Sequence, residues 1–166
     1  MRSWYLANVT LHVLAALIWL GGMFFLGLVG APVLRGVEPA SLRQKLFHDL
    51  GLRFRAIGWI CIAILLATGV VNLAFRGWLR WDGVFGSADF WRSAAGTALG
   101  IKLGAVAVML ALSAIHDFRL GPEAGRVAAG SPEALALRRR AARLARFNAI
   151  VGLVLLIAAV RLARGG

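Results

Sequence analysis

Four long apolar runs, at about 5–31, 56–75, 97–118 and 143–163, alternate with stretches where arginine, glycine and proline gather. A hydrocarbon layer needs roughly 20 helical residues to cross it, and each run reaches that length. The pattern predicts an all-α integral membrane protein, a four-transmembrane-helix bundle formed by residues 1–166 as a single domain. The first run is too long for the core of a signal peptide and no small-residue cleavage site follows it, so it is read as retained.

The polar connections differ in character. Residues 41–55 repeat apolar side chains at Leu42, Leu46, Phe47 and Leu50, the spacing of an interfacial helix on the cytoplasmic side, with His48 on its solvated face. Residues 76–96 interleave Trp78, Trp81, Phe85, Phe90 and Trp91 with Gly77, Gly83 and Gly86. Such rings settle at headgroup level, so this aromatic-rich connection is expected to fold on the outer face, as a belt or as a lid. Ser131-Pro132-Glu133 supplies an N-cap, a first-turn proline and an acid near the helix start. The last helix should therefore begin well before the membrane and run to about Ala163, roughly 47 Å at 1.5 Å per residue.

Composition excludes a soluble fold. Hydrophobic residues make up 60% of 166 and the mean hydropathy is +0.79, more apolar surface than one small core can hide. The formal charge of +12 would suggest nucleic acid in a soluble protein, but its distribution says otherwise. The first and third connections hold twelve Lys and Arg, and the two ends with the second connection hold six. That asymmetry places both termini outside the cytoplasm and sets the basic clusters against anionic headgroups, so lipid rather than nucleic acid is the expected partner. Cys61 is the one cysteine, and no intrachain disulfide can form.

Polar and soft side chains mark three helical stripes: His12, Trp19 and Met23; Asn72, Thr68, Leu65 and Cys61; and Lys102, Met109, Ser113 and His116. Matching depth across antiparallel spans brings His12, Asn72 and Lys102 together near the outer leaflet, with Trp19 and Met109 at mid-depth. His116 falls about 21 Å below Lys102 at the helical rise, which disfavours His12 and His116 as joint ligands of one heme. An imidazole or ammonium inside a span is costly, so His12 and Lys102 are candidates for a redox-active site. Interhelix hydrogen bonding, with Lys102 reaching outward, is the plainer account. Histidine suits heme iron, copper or a proton relay. Lys102 could neutralise a propionate or act catalytically as a base. Met23, Met109, Cys61 and His116 are weaker metal candidates. Glycine-rich faces allow close helix approach and self-association.

Leu11-His12, Trp19-Leu20-Gly21-Gly22-Met23-Phe24, Pro32, Gly58-Trp59, Thr68-Gly69, Asn72, Lys102-Leu103, His116-Asp117-Phe118, Arg146-Phe147-Asn148 and Gly152 together resemble the copper-resistance D (CopD) domain family. The first-span histidine and the Lys-Leu pair are also similar to the bacterial membrane-bound protoporphyrinogen IX oxidases, heme-binding helical proteins. These resemblances imply a multi-pass protein of the bacterial inner membrane, an axial role for His12 and an essential one for Lys102. The aromatic connection and the long basic last helix depart from the oxidases. The expected cofactor is heme b, held by His12 with Asn72, Lys102 and Trp19 around it and Arg76, Arg80 and Arg161 as propionate partners. Copper transport or homeostasis is the rival, and a non-catalytic subunit beside a membrane redox partner is the third reading.

Overall fold

A computed structural model describes residues 2–79, 84–128 and 130–165. Four helices are long and apolar enough to cross a membrane: α1 (Ser3–Arg35), α2 (Ala40–Phe75), α3 (Ala94–Ala124) and α4 (Pro132–Ala163). The described residues contain no strand. With the family assignment reported below, this makes a multi-pass, all-α membrane protein. Large apolar side chains stay uncovered on the outside, among them Leu17, Ile60 and Ile157 at 63%, 61% and 59% exposure. In water such a surface would aggregate; in a bilayer it is the lipid-facing side.

The expected interfacial segment is helical but not separate. Residues 41–55 continue without a break into the second span as one 36-residue rod. Nothing between Arg53 and Ile57 interrupts a helix, since the stretch lacks proline and its only nearby glycine, Gly51, is tolerated mid-helix. The last helix begins as expected, with Ser131 Oγ accepting from the Ala134 amide at 3.1 Å.

The helices pack as two antiparallel hairpins, α1 with α2 and α3 with α4, each closely packed within itself and more loosely apposed to the other. The hairpins are internal repeats 90 residues apart. His12 and Lys102, Trp19 and Met109, and Pro32 and Pro122 occupy corresponding positions. Exposure along residues 11–30 and 101–120 agrees at every position but one, Gly27 against Asp117. Both leading helices also widen into a π turn at the same place, Leu26–Gly30 and His116–Leu120. A proline cannot donate its missing N–H and crowds the preceding turn. The wide turn absorbs this, and the residue before each proline bonds back five residues, Ala31 N–H to Leu26 O and Gly121 N–H to His116 O. Both repeats start at the same end, so they are related about an axis along the bundle rather than inverted.

The hairpins are joined at three levels. At mid-depth Ala15, Trp19, Cys61, Ile62, Ala105, Met109 and Leu155 form one buried cluster. At the basic end, Asp117 of α3 accepts from Trp59 Nε1 at 3.0 Å, and its backbone carbonyl accepts from Arg55 at 3.1 Å. At the other end, Trp78, Phe85 and Phe90 of the aromatic connection pack with Leu73 on Ala98, Leu99 and Leu162. That connection contains short helical turns at Val84–Gly86 and Ala88–Arg92; Arg80, Trp81 and Gly83 lie outside the described residues.

The aromatic cap sits so close to the start of α3 that a Cβ on Gly96 would overlap the Phe90 carbonyl oxygen, whereas a Cβ on Gly104 meets nothing within 4 Å. Gly96→Ala should cost about 1–3 kcal/mol through overpacking. Gly104→Ala should be neutral or stabilising by up to about 1 kcal/mol through helix propensity. Thermal unfolding of the two variants in one detergent checks the contrast.

Candidate functional site

Two polar residues one helical turn apart on α1, Asn8 and His12, face two one turn apart on α2, Thr68 and Asn72. Asn8 Nδ2 donates to Asn72 Oδ1 at 2.9 Å and to the Thr68 carbonyl at 3.2 Å. His12 Nδ1 lies 2.7 Å from Thr68 Oγ1, and that hydroxyl donates to the Ile64 carbonyl at 2.6 Å. The Thr68 proton is thereby committed down its own helix, so the hydroxyl can only accept from the ring. His12 therefore carries its proton on Nδ1 and leaves the Nε2 lone pair open. No described residue hydrogen-bonds Nε2. Gly69 adjoins the ring, since a Cβ there would stand 3.8 Å from His12 Cε1.

This differs in detail from the expected arrangement. Thr68, 6% exposed, is the direct partner of His12, and Asn72 acts one step away through Asn8. Lys102 forms no hydrogen bond among the described residues and is half-buried on α3. Arg76 lies over Trp78 at 5.1 Å from the ring centroid, as part of the aromatic cap. Arg161 is exposed in the last turn of α4. Arg80 lies outside the described residues.

Trp19 does not belong to the His12 level. It is 5% exposed, packs in the mid-depth core, and lies against Gly58, where a Cβ would meet its Cδ1 at 3.6 Å. Seven residues of helix, about 10.5 Å of rise, separate it from His12. Trp19 is a core residue one level inward of His12.

The candidate metal ligands do not form one set. His12 is at one end, Met23 and Met109 are inward of it, and His116 is in the π turn at the basic end, with Nδ1 3.0 Å from Asp117 Oδ1. Among the described residues no group of three His, Cys, Asp or Glu side chains could hold a metal ion. The methyl ends of Met23 and Met109 both border Gly152, each Cε 3.4 Å from where a Gly152 Cβ would be. Asn148 Nδ2 sits 3.5 Å from Met23 Sδ and 3.4 Å from Ser113 Oγ. The sequence reading passed over Asn8 and gave no role to Asn148. The one-turn spacing of Asn8 from His12 was the signal available for the former.

The class of this four-helix protein comes from comparison with known families. Residues 50–162 match the family described as Copper resistance protein D, and the chain belongs to that family. It is 32% identical over 116 residues to an uncharacterized protein of Aquifex aeolicus (strain VF5), covering 69% of this chain and 68% of that one. No solved structure matches.

Thr68→Val removes the acceptor from the His12 N–H while preserving shape. The stranded donor should lower unfolding stability by about 1–3 kcal/mol, and Thr68→Ser should recover most of it. Chemical denaturation in mixed micelles measures both.

Proposed function

We propose that this CopD-family protein carries heme b at the end of the bundle bearing the aromatic cap, and that it serves electron transfer or a small redox reaction in the bacterial inner membrane. The observation behind the reading is the commitment of the Thr68 hydroxyl to Ile64, which presents the imidazole in the tautomer a metal requires. The residues fit the group in three respects. His12 Nε2 is open, Gly69 keeps side-chain bulk away from the ring, and Lys102 and Arg76 supply cations at the same end for propionates. When bound, heme would supply one-electron chemistry. The protein's part is to fix the ring through Thr68, to hold positive charge at Lys102, and to shield the site with the aromatic cap. On this reading the basic end faces the cytoplasm and both termini lie outside it, following the positive-inside rule. A membrane redox partner or a second copy of the chain completes the electron path.

The second reading is copper transport or homeostasis. It draws on the family name and on the convergence of Met23 and Met109 above Gly152, because thioethers suit copper(I). The two readings make different demands on residues. Detergent-purified protein should show a Soret band that disappears in His12→Ala and survives Met23→Leu/Met109→Leu. Colourless protein with stoichiometric copper, lost in the double methionine variant, supports the copper reading instead. Neither heme nor copper leaves the role of a non-catalytic subunit.

A further inference from the structure

A large cavity lies away from His12. A partly open cleft of about 1730 Å³ runs between the hairpins toward the basic end. Its deep wall is apolar, with Trp19, Met23, Phe54 and Ile62. Eight Lys and Arg side chains line it against a single carboxylate, Asp117. That carboxylate is already engaged by Trp59 and His116. Four of the cations, Arg138, Arg139, Arg143 and Arg146, project from the basic half of α4, and none has an acidic partner among the described residues. Arg138 is drawn inward, its guanidinium 5.7 Å from the Phe47 ring centroid, and its buried Nη2 has no hydrogen-bond partner. Gln44 Oε1, on the neighbouring face of α2, is likewise buried and unpartnered. Buried polar atoms without partners are costly, and the Arg138 Nη2, a cationic donor, points to an anion that the protein alone does not provide, while Gln44 Oε1, an acceptor, calls for a donor such as a hydroxyl.

Size and polarity select the kind of anion. Sites for small molecules occupy roughly 300–1,000 Å³, so the cleft is too large for a lone inorganic anion and long enough for a chain. A cationic mouth over an apolar wall, opening between membrane helices, matches a headgroup with acyl tails. We propose that the cleft holds an anionic phospholipid from the leaflet at the basic end, its phosphate among Arg138, Arg139 and Arg143 and its acyl chains against Trp19, Met23 and Phe54. This site is independent of any group on His12, and Asp117 and Trp59 join its two walls.

The test uses the full chain in mild detergent, titrated with phosphatidylglycerol or phosphatidylcholine and followed by native mass spectrometry. Arg138→Ala/Arg139→Ala/Arg143→Ala should weaken phosphatidylglycerol binding by roughly 10- to 100-fold. A control with the same loss of charge outside the cleft, Arg53→Ala/Arg119→Ala/Arg126→Ala, should change it by less than about twofold, the residue of screened surface attraction. Ala142→Trp fills the cleft without touching charge, and it should also exclude the lipid even if the arginine variant fails to fold. Inorganic phosphate should not compete. Equal losses in the two arginine variants, equal binding of both lipids, competition by inorganic phosphate, or full binding by Ala142→Trp would each overturn the proposal.

Discussion

Hydrocarbon offers no water to satisfy a polar group, so each polar side chain inside a span must be answered by another part of the chain. For His12 that demand is met by a short hydrogen-bonded relay, His12 Nδ1 to Thr68 Oγ1 to the Ile64 carbonyl. The relay docks α1 on α2, fixes the tautomer of the ring, and leaves one nitrogen open. A typical interhelix hydrogen bond in a membrane is worth only about 0.6 kcal/mol, so the relay adds little to the cohesion of the hairpin. Its value is direction. The surrounding packing, with Ala15, Cys61 and Ile62 buried below, supplies the cohesion that lets the relay hold one geometry.

The tandem repeat shows how much of that arrangement is particular to one half. In the second hairpin, Ala98 stands where the first has Asn8, Lys102 where it has His12, Ala158 where it has Thr68 and Leu162 where it has Asn72. The packing frame persists: Ala105 and Met109 are buried as Ala15 and Trp19 are, and Gly152 takes the place of Ile62. The polar relay does not persist. Lys102 is thus placed by the frame but not oriented by neighbours, which suits a mobile cation and not a ligand of fixed angle. One side of the bundle aims a nitrogen, and the other presents charge.

Much of this was legible in the sequence, because span length and apolar continuity are properties of the chain alone. The N-cap at Ser131 was legible for the same reason: its hydroxyl serves an amide three residues on. Depth matching placed Trp19, Leu65 and Met109 in one layer, as they are, and put Cys61 deeper, although it joins the same cluster. What failed was finer. Stripes drawn at seven- and eleven-residue spacing skip the adjacent turn, and so missed Asn8. Trp19, on the stripe of His12, belongs to the mid-depth core. Residues 41–55 have an amphipathic pattern, but whether such a segment bends into the interface or continues a span depends on what it packs against. Here Gln44 reaches across to the Val127 carbonyl, a contact no local pattern reports. The repeat escaped notice because its halves share positions and exposure more than residue types.

The same frame explains why the two ends of the molecule are chemically unlike. At the capped end, Phe90 and Trp78 press on Leu99 and Leu162, and the hairpins meet closely above the relay. At the basic end the leading helices widen at their π turns before Pro32 and Pro122, and the cleft opens between the hairpins. Only one of these turns bears polar side chains. Gly27 in the first corresponds to Asp117 in the second, and that carboxylate with the Trp59 indole spans the gap between hairpins. A glycine at both positions would remove that tie, and a carboxylate at both would bring two acids into one cleft wall. The asymmetry of a single acid thus lets the hairpins stay joined while the remaining surface of the cleft keeps its positive charge.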